Sequence, residues 1–132
     1  MENDEVLRLL SPIQATHRLA LEDVEIGGVM IPKGSKVYLS TASANRDDAR
    51  FECPNNFDME RQDVRQHMTF GGGQHFCIGA HLTRVEQRVA YGEWLKRFSS
   101  IELAQPLESI KYHVTFATRA PVELYFRNRR AA

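Results

Sequence analysis

The residues best suited to chemistry lie in the segment FGGGQHFCIGAHL, residues 70–82. Within it Cys77 follows three consecutive glycines and His75, and a helical pattern begins directly after it. A cysteine at the start of a helix lies beside unpaired backbone N–H groups and the positive end of the helix dipole. Both favour the thiolate, which is the form of cysteine that binds metals or attacks electrophiles. We therefore expect Cys77 to be the chemical centre of the chain.

The neighbours of Cys77 indicate what it would bind. The glycines at positions 71–73 and Gly79 allow sharp backbone turns and the close approach of a large flat group. His75 adds a hydrogen-bond donor suited to an anionic group such as a carboxylate. A thiolate, a flat cofactor and a carboxylate partner together describe haem bound through cysteine. A glycine-rich turn around an inert buried cysteine would explain an isolated cysteine, but it does not explain the whole pattern.

The pattern Phe70-x-x-Gly73-x-His75-x-Cys77-x-Gly79 resembles the haem-binding signature of the cytochrome P450 monooxygenases. Family members often carry arginine at the position of His75, with histidine as a variant in bacterial members. The resemblance implies that haem b (iron protoporphyrin IX) is the cofactor. It implies that Cys77 is both the axial ligand of the haem iron and the catalytic residue. The cofactor-binding residues implied in this loop are Phe70, Gly71, His75, Cys77 and Gly79.

A second set of residues falls in the order expected for the same family. Glu5-Val-Leu-Arg8 resembles the Glu-x-x-Arg helix motif, and the segment from Phe57 to Arg61 resembles the one that completes its ion network. On a helix Glu5 and Arg8 are i,i+3 neighbours, so their pairing is physically reasonable. Taken alone, the pair would be an ordinary surface ion pair of little energetic weight. The resemblance implies a structural role for Glu5, Arg8 and Arg61, which is to hold the cysteine loop in place.

The resemblance also implies roles for residues outside the cysteine loop. Arg18 would bind a haem propionate together with His75, although a solvated charge on a strand explains the same residue. The substrate-lining residues would be Ile13, Ala15, Thr115 and Phe116. Their partly apolar character fits a hydrophobic substrate but does not choose among fatty acids, steroids and terpenoids, and ordinary core packing also accounts for them.

The implied activity is that of an oxidoreductase, a haem-thiolate monooxygenase that inserts one oxygen atom of O2 into a small apolar substrate. The Cys77 thiolate would push electron density toward the iron and favour O–O cleavage. Two electrons would come from a ferredoxin- or flavodoxin-type donor with its reductase. An acidic donor could dock on basic side chains near the cysteine loop, namely His67, His81, Arg84 and Arg88. A solvated helix face explains those residues equally well.

Composition limits the other possibilities. Seventeen basic and seventeen acidic residues balance, so nothing predicts a nucleic-acid partner. No apolar run has the length of a membrane span, and the N-terminal segment MENDEVLRLL is acidic rather than a basic signal region. We therefore expect a cytoplasmic protein with reduced thiols, in which the second cysteine, Cys53, is incidental.

The elements predicted along the chain are mixed α and β. Residues 3–10 predict a short helix, residues 16–40 a small antiparallel sheet, and residues 41–50 a second short helix. A polar stretch over residues 50–68 has no periodicity, which is typical of a loop that serves a site. A long helix follows Cys77 and extends to Leu95 and Phe98, because apolar residues recur there at helical spacing. Residues 110–126 predict two strands joined by a turn near 116–120.

These elements favour an α+β fold that resembles the C-terminal part of the mainly α cytochrome P450 fold, with a short helix, small antiparallel sheets, the cysteine loop, a long helix and a C-terminal β-hairpin. We expect residues 1–132 to be the C-terminal haem-binding portion of such a domain, with the N-terminal part absent. Met1 directly precedes the Glu-x-x-Arg helix, so we expect a truncated reading frame or a gene fragment.

Two alternatives to an active monooxygenase stay open from the residues alone. The chain could be a truncated, non-catalytic fragment that binds haem weakly or not at all. It could also bind zinc through His75, Cys77 and His81, with Cys53 as a possible fourth ligand. The zinc pattern is weak because the two cysteines do not form a Cys-x-x-Cys pair.

Overall fold

The computed structural model describes residues 2–131 of the chain, which contain two short α-helices, one long α-helix and three two-stranded antiparallel sheets. The two ends of the predicted domain, Met1 and Ala132, lie outside the described residues. The α-helices are α1 (Glu2–Leu9), α2 (Thr41–Ala44) and α3 (Ala80–Arg97). The strands are β1 (Thr16–Leu19), β2 (Val24–Ile26), β3 (Val29–Ile31), β4 (Lys36–Leu39), β5 (Phe98–Leu103) and β6 (Phe126–Arg130). Short 3-10 turns occur at Val64–Gln66, Gly73–His75 and Leu107–Ser109.

The predicted short helix at the start of the chain is confirmed as α1. Arg8 lies in its last turn, where a cation interacts favourably with the helix dipole. The helix ends shortly before Pro12, a residue that cannot continue a hydrogen-bonded helix. The face of α1 that turns inward is mostly polar, because Asp4, Glu5 and Arg8 are buried together with Leu7.

The predicted antiparallel pairing between residues 16 and 40 is confirmed, but it divides into two separate two-stranded sheets. The inner hairpin pairs β2 with β3, and its turn contains Gly27 and Gly28 with φ of 58° and 80°. Two successive residues with positive φ form the tight turn that suits the twist of a hairpin, which is why glycine occupies both positions. The outer pair joins β1 to β4, with Thr16 opposite Leu39 and Leu19 opposite Lys36.

The end of the long helix and the C-terminal hairpin differ in position from the prediction. Helix α3 ends at Arg97, and β5 begins at once with Phe98, which the helical spacing had included. Strand β5 pairs antiparallel with β6, with Leu103 opposite Phe126. The two strands predicted within residues 110–126 do not form as strands, but their antiparallel pairing remains as an isolated bridge between Tyr112 and Pro121. It is flanked by hydrogen bonds from the His113 N–H to the carbonyl of Ala120 and from the Val122 N–H to that of Lys111. Proline has no N–H with which to extend a strand ladder.

The buried core is small and contains many polar residues. The buried apolar residues in the part of the chain that the structure describes are Leu7, Ala15, Phe51, Val64, Phe70 and Ala80. The buried polar and charged residues are Asp4, Glu5, Arg8, Ser11, Thr41, Asn45, Arg61, His67 and Thr69. Many large apolar residues are exposed, including the α3 residues Leu82, Val85, Val89 and Leu95. Among residues 2–131, no helix combines the length and the apolar character that a membrane crossing requires.

Candidate functional site

Cys77 lies between the 3-10 turn Gly73–His75 and the first residue of α3, Ala80. Its backbone N–H donates to the carbonyl oxygen of Phe70 at 2.9 Å, and its own carbonyl accepts from the N–H of Ala80 at 3.2 Å. Its side chain is exposed, and neither it nor Cys53 forms a disulfide. The backbone of the cysteine is therefore fixed at both sides while the sulfur is free to bind a ligand.

The glycines before the cysteine are required by the backbone of this loop. Gly71 and Gly73 have φ of 72° and 64°, in the left-handed region that disfavours residues with a side chain. A Cβ at Gly72 would lie 3.2 Å from the Met68 Cε methyl group, so this position is closely packed. A Cβ at Gly79 would lie 3.7 Å from the Cys77 sulfur. The loop thus keeps the space beside the sulfur free of side-chain atoms.

Phe70 anchors the loop to the rest of the chain. Its ring is buried in a cluster with Leu7 of α1 and Ala80 of α3. The guanidinium carbon of Arg84 lies 4.8 Å from the ring centre, within the range of a cation–π interaction. The carbonyl of Phe70 also accepts a hydrogen bond from the Cys77 N–H, so the packing of the Phe70 ring helps to fix the position of the cysteine.

The structure brings Glu5, Arg8 and Arg61 together in a buried ion network. Arg8 Nε and Nη2 donate to the two carboxylate oxygens of Glu5 at 2.7 and 2.8 Å. Arg61 Nε donates to Glu5 Oε1 at 3.2 Å, and the Asp58 N–H donates to the same oxygen at 3.1 Å. Burial alone would raise the pKa of Glu5, but these hydrogen bonds outweigh it, so the pKa lies below its usual value. Glu5 is therefore held as a carboxylate.

The polar stretch over residues 50–68 wraps around the same two arginines. Arg8 donates from Nη1 to the carbonyl of Pro54 at 2.7 Å and from Nη2 to that of Asn56 at 3.1 Å. Arg61 Nη1 donates to the carbonyl of Glu52 at 2.8 Å. These hydrogen bonds stabilise a segment with little regular structure. Because both arginines are buried, water does not compete for their N–H groups.

A second buried charge cluster, which the sequence did not reveal, lies beside Phe70. Asp4 Oδ1 accepts from Arg84 Nε at 2.8 Å and lies 3.3 Å from His67 Nε2. The Thr69 N–H donates to His67 Nδ1 at 3.2 Å, so the ring proton is on Nε2, facing Asp4. Burial lowers the pKa of His67; Asp4 opposes this in part, and Arg84 and Arg8 add to the lowering. Burial would raise the pKa of Asp4, but the hydrogen bonds from Arg84 and His67 lower it overall.

Arg18 and the glycine run line the same cavity of about 560 Å³. This volume lies within the range of small-molecule and cofactor sites. The lining contains no carboxylate, and its other residues are Thr16, Tyr38, Leu39, Ser40, Thr41, Ala44 and Met68. His75 and Cys77 do not line this cavity, and both are exposed. These features fit a metal-containing cofactor with anionic groups. The exposed thiol can bind the metal, the glycine run leaves room for the cofactor, and the arginine has no carboxylate in that cavity to compete with the anionic groups.

The residues expected to line a substrate pocket meet where β1 begins. Ile13 forms a bridge with Thr118, and the Gln14 N–H donates to the carbonyl of Ala117 at 2.7 Å. The turn over residues 115–118 is closed by Thr115 Oγ1, which accepts from the Thr118 N–H at 3.0 Å. Phe116 is 92% exposed and Ile13 is also exposed, whereas Ala15 is buried and contributes to packing.

Comparison with known proteins assigns the family. Residues 4–121 match the family model described as Cytochrome P450. The chain belongs to the cytochrome P450 family. It is 46% identical over 107 residues to Nocardicin C N-oxygenase of Nocardia uniformis subsp. tsuyamanensis, covering 81% of this chain and 27% of that protein. It is 39% identical over 116 residues to 6-deoxyerythronolide B hydroxylase of Saccharopolyspora erythraea, covering 88% of this chain and 28% of that protein.

Solved structures agree with the partial cytochrome P450 fold. Substrate-free CYP150A6 of Mycobacterium marinum superposes with a TM-score of 0.93 at 36% identity, covering 98% of this chain and 33% of that one. CYP109Q5 of Chondromyces apiculatus gives a TM-score of 0.89 at 40% identity over 97% of this chain. The chain spans about a quarter of the length of the curated relatives it matches. The predicted α+β fold, as one part of the cytochrome P450 fold, is confirmed.

The predicted docking surface for a redox donor needs correction. His67 is buried and bonded to Asp4 and Thr69, so it cannot contact a partner. Arg84 is half-buried, and it forms an ion pair with Asp4. Only His81 and Arg88 of the predicted set are exposed. The sequence missed this because the partner of Arg84 lies 80 residues away in the chain.

The zinc alternative finds no support in the geometry. Within residues 2–131, no group of three or more histidine, cysteine, aspartate or glutamate side chains is placed to hold a metal ion. His75, Cys77, His81 and Cys53 therefore do not form a ready zinc site. A cysteine that ligates haem iron needs no such cluster, because it acts as a single protein ligand.

Proposed function

We propose that residues 1–132 are the C-terminal haem-binding portion of a haem-thiolate monooxygenase. The observation that carries the proposal is the exposed Cys77 side chain in a loop where Gly71 and Gly73 have positive φ. The backbone N–H of Cys77 donates to the carbonyl of Phe70, which fixes the cysteine in place. Such a loop leaves space for a flat cofactor beside a thiolate. When bound, haem supplies the oxygen chemistry, and the protein determines ligation and access.

The chain's own residues would divide the work of holding haem b. Cys77 would ligate the iron as a thiolate. Arg18 and His75 would bind propionates, Arg18 from the cavity it shares with the glycine run and His75 from its exposed position on the loop. Phe70 would pack behind the loop, and Gly71 and Gly79 would allow the cofactor to approach closely. Glu5, Arg8 and Arg61 would keep the loop in position without touching the reacting atoms.

The activity of the whole protein is part of this proposal. One oxygen atom of O2 would enter a small apolar substrate near Ile13 and Phe116, and electrons would come from a ferredoxin- or flavodoxin-type donor with its reductase. Two relatives are named as an N-oxygenase and a hydroxylase, which supports oxygen insertion as the reaction class. The exposed His81 and Arg88 would form part of the donor site. We also propose that the protein acts in the cytoplasm.

A non-catalytic fragment is the second candidate, and the surface of α3 favours it. Leu82, Val89 and Leu95 are more than half exposed, an apolar surface that a complete domain would be expected to cover. Such a fragment would bind haem weakly or not at all.

Spectroscopy of the haem-loaded chain tests the first proposal. The chain is mixed with haem, reduced and exposed to carbon monoxide, and a thiolate-type Soret band is expected. Cys77→Ala should abolish this band, whereas the matched variant Cys53→Ser should retain it, because both cysteines are exposed and unbridged. No Soret shift in the wild-type chain, or an equal band in Cys77→Ala, would overturn the assignment. A weak thiolate band without turnover of the apolar substrates tested would instead support the non-catalytic fragment.

A further inference from the structure

Asn45 occupies a position between the ion network and the cysteine loop. It is the residue that caps the C-terminal end of α2, and it is fully buried, with 0% exposure. The sequence pattern assigns it no role beyond the end of a short helix. A fully buried amide must have its donors and acceptors satisfied, so its partners show which parts of the chain it connects.

The side chain of Asn45 is bonded to the segment that leads into the cysteine loop. Its Oδ1 accepts from the Met68 N–H at 2.6 Å, and its Nδ2 donates to Thr69 Oγ1 at 2.9 Å. Thr69 Oγ1 in turn donates to the carbonyl of Leu7 at 2.8 Å. One amide and one hydroxyl thus join the end of α2, residues 68–69 and α1.

The backbone of Asn45 is bonded to the ion network. Its carbonyl accepts from Arg8 Nη1 at 2.7 Å, while the other side of Arg8 holds Glu5. Arg8 is buried without exposure, so its position is determined by these partners. Asn45 is therefore hydrogen-bonded to both parts, through its carbonyl to the guanidinium of Arg8 and through its side-chain amide to residues 68–69.

We propose that Asn45 is a positioning residue for Cys77. The path runs from Arg8 to the Asn45 carbonyl, from the Asn45 amide to Met68 and Thr69, and then along one peptide bond to Phe70. The carbonyl of Phe70 holds the Cys77 N–H, so a displacement of residues 68–69 moves the cysteine. Asn45 itself touches neither Cys77 nor the cavity. The inference rests on the proposed function only in taking Cys77 as the iron ligand.

The expected effect of removing the amide is local opening of the cysteine loop. Asn45→Ala leaves the Met68 N–H without its acceptor in a part-buried site and Thr69 Oγ1 without its donor in a buried one. Loss of a hydrogen bond of this kind raises the equilibrium constant for local opening about five- to tenfold. Hydrogen exchange of the Cys77 amide, which is protected by Phe70, measures that opening directly.

The experiment compares matched variants of the whole chain by hydrogen exchange. Asn45→Ala and Thr69→Val should each accelerate exchange of the Cys77 amide about five- to tenfold. Thr69→Ser keeps the hydroxyl and should restore the wild-type rate. Thr41→Val is the control: Thr41 lines the cavity beside the glycine run and is as buried as Thr69, but its hydroxyl donates to the carbonyl of Ile13 and not to the segment that leads into the cysteine loop. Thr69→Val also keeps the test available if Asn45→Ala does not fold.

The outcomes separate the inference from the proposed function. If Thr69→Val and Thr41→Val change the Cys77 exchange rate equally, Asn45 and Thr69 act only on overall stability and the inference is overturned. If Thr69→Val accelerates it and Thr41→Val does not, the inference holds whether or not the chain binds haem. A folded Asn45→Ala chain that keeps the wild-type rate would overturn it. In the haem-loaded chain the same variant should reduce the fraction of the thiolate-type carbon monoxide band, with recovery in Thr69→Ser. A wild-type chain that shows no haem band at all would contradict the proposed function, while the exchange result would still decide on Asn45.

Discussion

Arg84 of α3 donates from Nε to Asp4 Oδ1 of α1 at 2.8 Å, and its guanidinium carbon lies 4.8 Å from the centre of the Phe70 ring. One side chain thus joins two helices that are far apart in sequence and covers the aromatic ring that holds the cysteine loop. The contact also places a cation against a buried carboxylate, where a charged hydrogen bond is stronger than a neutral one.

Replacing this arginine should destabilise the chain. Arg84→Met keeps the length of the side chain but leaves Asp4 without a cation, bonded to the neutral ring of His67. We expect the free energy of unfolding to fall by about 1–3 kcal/mol, as when one partner of a charged hydrogen bond is removed. Urea unfolding followed by circular dichroism measures it. Arg88→Met, on an exposed part of the same helix, should cause little change, and an equal loss in both variants would contradict the role given to Arg84.

Stability should fall far more when the buried Glu5 is replaced than when an exposed glutamate with two charged partners is replaced. Glu5 accepts from Arg8 and Arg61, and Glu93 accepts from Lys96 and Arg97. Glu5→Gln leaves two buried guanidinium groups without their anion, which should cost about 3–5 kcal/mol. Glu93→Gln should leave stability almost unchanged, because water replaces an exposed partner. Unfolding midpoints in urea compare the two variants, and similar midpoints would refute a buried network in solution.

Local signals in the sequence predicted much of this fold, and long-range contacts account for what they missed. Glu5 and Arg8 are one helical turn apart, and Gly27 and Gly28 form a turn between neighbouring strands, so their spacing alone is informative. Phe98 was assigned to the helix because it continues the apolar spacing of α3, yet it pairs with Arg130 in a strand. That pairing depends on a segment far along the chain, which no local period records.

The same limit applies to the site. The cysteine and its glycines are contiguous, so their pattern could be recognised, and two glycines with positive φ, Gly71 and Gly73, lie in that run. The contacts of Asn45 with residues 68–69, and of Asp4 with Arg84, join segments 23 to 80 residues apart. From the sequence alone, a buried asparagine at the end of a short helix cannot be distinguished from an exposed one. Burial of His67 likewise removed it from a surface where its charge alone had suggested a role.

Stability should fall as the pH is lowered through the usual titration range of histidine. The pKa of His67 is lowered from 6.5 by burial, with Asp4 opposing and Arg84 and Arg8 adding to the effect, so the folded chain binds fewer protons there than the unfolded chain. The contribution of the neutral ring is therefore complete above about pH 6.5 and is lost below it. The slope from this residue is at most about 1.4 kcal/mol per pH unit.

A variant isolates that contribution. His67→Gln should show a weaker dependence of the free energy of unfolding on pH between 7.5 and 5.5 than the wild-type chain. His113→Gln, at an exposed position, should keep the wild-type slope. Denaturation curves at several pH values measure the three slopes. A wild-type slope retained in His67→Gln would mean that another group is responsible. In stronger acid a further loss is expected, because Asp4 and Glu5 also have lowered pKa values.

Two glycines with equally open surroundings should respond to alanine in opposite directions. A Cβ would meet no atom within 4 Å at either Gly92 or Gly73, so packing does not distinguish them. Gly92 lies inside α3, where alanine is favoured over glycine by about 0.8–1 kcal/mol, and Gly92→Ala should raise the free energy of unfolding by about that amount. Gly73 has φ of 64°, which costs a residue with a side chain about 1–2 kcal/mol, so Gly73→Ala should lower it. Thermal and urea unfolding of both variants test the signs, and a stabilising Gly73→Ala would show that the loop before Cys77 does not hold this conformation in solution.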